Sequence, residues 1–131
     1  MLDKYYGIRS FDFHTYWNNN NPKDREFAYE LREKVQKEFA KEIENGQVRV
    51  HKFWDTPVGP HPLNMWEIDT GGDGKFDADI YTRLIGFYIL NHGHLSVLIH
   101  PRTHRGDMAD HTTHALWLGH KVRLDTSYLI D

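Results

Sequence analysis

Cysteine is absent from the 131 residues, which excludes disulfides and any thiolate metal site and leaves the redox compartment unmarked. No apolar stretch approaches the ~20 residues that a bilayer-spanning helix requires. The longest, around Leu95–Ile99, has the length of a strand. The opening MLDKYYGIRS does not show the basic-then-apolar layout of a secretory leader. A dominant charge is missing too: 16 Lys and Arg stand against 19 Asp and Glu, for a net −3, and the basic residues are scattered among acids. Such a chain shows no electrostatic footprint for nucleic acid, so neither a nucleic-acid nor a membrane partner is expected, and a soluble cytoplasmic protein is. Phosphate loops, nucleophile elbows and dinucleotide fingerprints are also lacking.

The sequence does have material for a core and an excess of histidine. Hydrophobic residues make up 39% and aromatics 14%, enough for one compact domain over 1–131 and too much for a disordered chain. Histidine occurs 10 times, with nine copies between His51 and His120. Without cysteine, any transition-metal site has to be assembled from imidazoles and carboxylates.

Period-two alternation over Ser10–Trp17 (SFDFHTYW) predicts a strand with Phe11 and Phe13 on one face and Asp12, His14 and Tyr16 on the other. Asn21 then reads as an N-cap and Pro22 as the first helical position. From Lys23 to Asn45 the apolar residues Phe27, Ala28, Leu31, Val35, Phe39 and Ile43 recur at helical spacing, and Gly46 supplies the stop. Strands are expected at Gln47–Phe53, Leu63–Asp69 and Leu95–His100, and a second helix from Phe76 to about Asn91, ended by Gly93. The order strand–helix–strand–strand–helix–strand is the ferredoxin-like split βαβ pattern, an α+β fold with two helices on one sheet face. The other face is left for a ligand or partner. Pro101–Asp131 adds a C-terminal extension, a loop with a further strand at His114–Leu118.

Several histidines sit where chemistry is plausible. His14 lies among aromatics in a central strand, where a polar ring needs a partner. His61 is held between prolines in GPHP, and His100 stands where a buried strand opens into a loop. His111 and His114 form an HxxH pair of low specificity. The alternative for each is a histidine satisfied in the core or bonded to backbone. The acidic loop Asp69–Ile80 resembles a calcium loop only superficially, since Gly71 and Ile80 occupy obligatory ligand positions; helix capping explains its acids better.

Taken together, FDFHTYW, PVGPHPLNMWEI, NHGHLSVLIHP and DHTTHALWLG, in this order and spacing, resemble the DOPA 4,5-dioxygenase family over about Ser10–Leu124. The resemblance implies a ferredoxin-like fold, usually as a homodimer, and a non-haem iron(II); a histidine site of this kind also takes Zn or Ni, since binding strength does not single out iron. It also implies ring-opening oxygenation of a catechol such as L-DOPA by O2. The family's histidines match His14, His61, His100, His111 and His114. Asp12 stands where many members carry the first histidine of a His-x-His pair, and RTHRGDMAD also departs from the usual pattern. On this reading His14, His61 and His100 ligate the metal, with Glu67 or Asp12 as a carboxylate alternative. His111 or His114 acts as base and then acid, Tyr16, Trp66 and Trp117 wall the aromatic ring, and Arg102 meets a substrate carboxylate. The competing readings are a metal-dependent lyase or isomerase on the same site, and a non-enzymatic dimeric module that binds a metal or aromatic effector.

Overall fold

Alternation in the first strand decides the architecture, because that strand lies at the centre of the sheet. The computed structural model describes residues 3–130. Its strands are β1 (Ser10–Trp17), β2 (Arg49–Phe53), β3 (Asn64–Asp69), β4 (Val97–Arg102) and β5 (Leu116–Leu118). They form one antiparallel sheet in the order β2-β3-β1-β4-β5. Helix α1 (Pro22–Glu38), the short α2 (Ala40–Glu44) and α3 (Ala78–Asn91) provide the crossovers, and α4 (Asp107–His111) lies between β4 and β5. The first four strands with α1 and α3 make the ferredoxin-like unit, and β5 extends its β4 edge. The α+β class read from the sequence is the one observed. No helix among the described residues is long and apolar enough to cross a membrane.

Local chemistry explains most element ends. The Asn21 side chain accepts from Lys23 N–H and Asp24 N–H, and Pro22 opens α1. The single helix expected from Lys23 to Asn45 is broken at Phe39, whose φ of −110° and ψ of 26° leave helical geometry. The break turns Phe39 into the core, edge-on to Phe87, and keeps Ile43 packed against the same core. Asp77 caps α3 by accepting from Asp79 N–H and Ile80 N–H, so the acids of that loop do serve the helix. Phe76, expected inside the helix, lies before it and packs on Tyr5 and Phe11. Gly93 ends the helical segment with φ +60°, where a Cβ would stand 2.6 Å from the Phe27 ring. The helix α4 was not expected; β5 is shorter than the predicted strand and starts at Leu116.

Side-chain parity splits the molecule into two layers. Phe13, Trp17, Trp66, Ile68, Val97 and Ile99 face the helices and pack with Ala28, Leu31, Val35, Leu84 and Tyr88. The opposite face carries Asp12, His14, Tyr16, Glu67, Leu98 and His100. Tyr16, Met65 and Leu98 there are covered by Leu63, Trp117, Val122 and Leu124, among others. The loop before β3 and the C-terminal extension therefore roof the face that a bare ferredoxin-like unit leaves open.

Leu84 is fully buried between α3 and the sheet. Leu84→Ala is expected to destabilise the chain by about 2–5 kcal/mol in urea unfolding. The same truncation at exposed Leu116 should change stability by less than about 0.5 kcal/mol. Equal effects at the two positions would contradict this assignment of the core.

Candidate metal centre

The non-helical sheet face gathers four imidazoles. His14 projects from β1 between its register partners Glu67 on β3 and Leu98 on β4, and His100 projects from β4 opposite Asp12. His61 arrives from a tight Val58–His61 turn closed by the His61 N–H to Val58 C=O bond, with Gly59 at φ +55°. Helix α4 carries His111 over the same spot. Ring centroids are 4.3 Å apart for His14–His61, 5.1 Å for His14–His100 and 3.9 Å for His100–His111. His14, His61 and His100 are each no more than 6% exposed.

Three of the rings are anchored through Nδ1. His100 Nδ1–H donates to the Pro101 carbonyl at 3.0 Å, and His111 Nδ1–H donates to the Asp107 carbonyl at 2.8 Å. His61 Nδ1 meets the Tyr16 hydroxyl at 2.6 Å. An outer partner on one nitrogen sets the ring's orientation and, where that partner is a carbonyl, the tautomer, leaving Nε2 to bind a cation, the usual arrangement of metal-ligating histidine. Burial lowers the pKa of His14 well below the ordinary value, lowers His61 to about 3, and lowers His100, with the neighbouring imidazoles adding to each shift. These three rings are therefore neutral near pH 7, the form that ligates a metal.

The inner nitrogens are poorly satisfied without a cation. His14 Nε2 and His100 Nε2 face each other at 3.1 Å, and His14 Nδ1 is buried with no hydrogen-bond partner among the described residues. A separation near 3 Å is what two donors each about 2.1 Å from one ion at right angles would show. His14, His61 and His111 can place one ligand atom apiece within 4.8 Å of one another, as can Asp12, His14 and His100. His14 belongs to both groups. The donor set, imidazole with a single carboxylate, suits a non-haem iron and equally zinc or nickel.

The carboxylates have distinct partners. Asp12 is clamped by the Arg102 guanidinium at 2.8, 3.1 and 3.2 Å and lies 3.5 Å from His100 Nε2. Glu67 stands 3.9 Å from His14 Nε2; burial, then the adjacent Asp12 charge, pushes its carboxyl well above the usual range. A third group, His51, Glu67 and Asp69, differs because both Asp69 oxygens are taken by Arg49, His51 and Gly71 N–H.

The sequence-expected residues fall into two sets. His14, His61, His100 and His111 converge, with Asp12 and Glu67 beside them and Tyr16 touching His61. Trp117 stacks on Tyr16 at 5.9 Å and lines a cleft of about 630 Å³ with Pro62, His111, Lys121, Arg123 and Leu124. Trp66 lies across the sheet in the helix-side core, 6.3 Å from Tyr88. Arg102 is committed to Asp12, and His114 bonds Asp110 at 2.9 Å on another side of α4. Sequence reasoning missed the anchoring role of Tyr16 and the cleft cations Lys121 and Arg123. An aromatic hydroxyl two residues from His14 on the same strand face was the available signal for Tyr16, whereas nothing local marks Lys121 or Arg123.

Fold and site together define an α+β domain with an imidazole-rich candidate metal centre under a cleft. The chain belongs to the Dopa 4,5-dioxygenase family, whose sequence profile matches residues 11–128. It is 36% identical over 128 residues to an uncharacterized 21.2 kDa protein of Botryotinia fuckeliana, covering 92% of this chain and 64% of that one. It is 28% identical over 122 residues to a DOPA 4,5-dioxygenase of Amanita muscaria, covering 93% of this chain and 50% of the relative. The chain thus spans between half and just under two-thirds of these relatives' length. A candidate dioxygenase from Nostoc punctiforme, known from its crystal structure, superposes with a TM-score of 0.76 at 25% identity, covering 96% of this chain and 95% of the other.

The low pKa of His61 makes stability depend on pH with a definite sign. Below about pH 6.5 the unfolded chain binds a proton that buried His61 refuses until about pH 3. Stability of the chelated chain should therefore fall as pH drops through that window, by up to ~1.4 kcal/mol per pH unit for this ring. His61→Gln is expected to flatten the slope by that one-proton amount in urea unfolding at stepped pH. An unchanged slope would show that His61 is not held neutral.

Proposed function

We propose that the chain is a non-haem iron(II)-dependent extradiol dioxygenase that opens the ring of L-DOPA or a similarly substituted catechol, placing both atoms of O2 in a semialdehyde product. The observation that carries this reading is the 3.1 Å approach of two buried Nε2 atoms, with His61 and His111 each able to bring a ligand atom within 4.8 Å of one on His14. His14, His61 and His100 would hold the iron, with Asp12 or Glu67 as the carboxylate alternative. When bound, the cation supplies Lewis acidity toward the catechol oxygens and an electron path to dioxygen.

The chain's own residues supply positioning and proton handling. His111 is the imidazole of the four that also lines the cleft. Its Nδ1–H is committed to the Asp107 carbonyl, so Nε2 is free to accept a phenolic proton and return it later in the reaction. Trp117 offers an aromatic wall, braced by Tyr16, for the substrate ring. Lys121 and Arg123 line the same cleft and suit the carboxylate of an amino-acid catechol, a role for which Arg102 is poorly placed because Asp12 already holds it. Tyr16 remains protonated at all working pH values, since burial raises its pKa, and it orients His61.

Anaerobic loading with Fe(II), addition of L-DOPA and then admission of air provides the test. Oxygen uptake equimolar with substrate, and a yellow ring-opened product, are expected; turnover without oxygen, or binding without product, would overturn the reading. His14→Ala and His100→Ala should each lose iron. His111→Gln should keep iron and lower kcat/KM by about 10²–10⁴-fold, whereas loss of iron in that variant would make His111 a ligand instead of the base.

A further inference from the structure

We propose that a second cavity, across the sheet from the imidazole cluster, binds a small organic carboxylate with an aromatic or branched apolar body. The cavity measures about 450 Å³ and is bounded by Ile8, Phe11, Pro101, Thr103 and the cations or imidazoles of His104, Arg105 and His114, with Tyr6 at its edge. Phe11 and its register partner Pro101 have the parity of the helix-facing residues, so this cavity opens on the opposite layer from His14 and His100. Among the described residues its lining includes no acidic one. An apolar floor with one guanidinium, that of Arg105, at its rim matches an apolar molecule bearing one negative charge.

The walls are fixed before any ligand arrives. Phe11 is stacked on Tyr81 at 4.1 Å and packed against Phe76. Buried Asp110 accepts from Thr103 N–H and Thr103 Oγ1–H, both at 2.7 Å, and from His114 Nδ1–H at 2.9 Å. That clasp holds the Thr103–Arg105 loop to His114. Tyr6 adopts φ +59° and is 89% exposed. A non-glycine residue in that region is strained, and such strain persists at ligand clamps more often than elsewhere. Bonds from Tyr6 N–H to the Asp3 carbonyl and from Ile8 N–H to the Tyr5 carbonyl hold the turn.

Benzoate is the probe, with benzyl alcohol as its uncharged counterpart, each titrated into the full chain and followed by amide and methyl NMR shifts. Benzoate should shift Ile8, Phe11 and Arg105 saturably and bind at least about tenfold tighter than benzyl alcohol. Arg105→Glu should weaken benzoate by at least about tenfold, and Ile8→Trp, which fills the cavity, should abolish the shifts at Phe11 and Arg105. Shifts confined to the Trp117 cleft, equal affinity for the two probes, or no effect of either variant would overturn the proposal. Shifts at Ile8 and Arg105 that follow protein concentration instead of benzoate would place a second copy of this chain there and overturn it as well. The oxygen-uptake experiment is independent of every one of these outcomes.

Discussion

The site depends on holding imidazoles neutral while aiming them at a common point. Burial disfavours the charged form of His14, His61 and His100, since a protonated ring in a buried, imidazole-lined space is penalised both by lost hydration and by its neighbours. Neutrality alone would leave each ring free to present either nitrogen. The Pro101 carbonyl, the Asp107 carbonyl and the Tyr16 hydroxyl decide which nitrogen faces inward, and two of these partners can only accept. The cluster is thus organised by backbone and by one phenol more than by the histidines themselves.

The sheet supplies the rigidity this needs. His14 and His100 stand on paired central strands, Asp12 is locked to Arg102 across the same pair, and the helix-side core behind them is tightly filled. The remaining imidazoles come from outside the strands: His61 from a proline-framed turn, His111 from a one-turn helix. A ferredoxin-like unit leaves one face bare, and here the C-terminal extension both roofs that face and contributes the cleft wall at Trp117, Lys121 and Arg123. The sheet therefore supplies two of the clustered imidazoles, and the wall of the adjoining cleft comes from what is appended to the ferredoxin-like unit.

Much of this was legible in the chain. Ser10–Trp17 alternates cleanly enough to place His14 on the face away from the helices, and Asn21-Pro22 marks the start of α1. The parity of Val97–His100 was readable but its phase was not, because Val, Leu and Ile carry no preference for one layer; pairing with β1 settles it. Trp66 illustrates the same problem in β3, where NMWEID has apolar residues on both faces and the helix side takes the larger ring. Arg102 looked free because its partner, Asp12, is 90 residues away in sequence. Helix α4 was invisible because five residues are too few to show a helical period, and so His111's approach to the cluster could not be foreseen from the HxxH spacing.

The most direct measurement of the central claim is X-ray absorption at the iron edge of the Fe(II)-loaded chain. The account requires a first shell with at least two, and on the proposed assignment three, imidazole nitrogens at about 2.1 Å and the multiple-scattering signature of their rings. A shell made only of water and carboxylate oxygen, with no imidazole scattering, would contradict it.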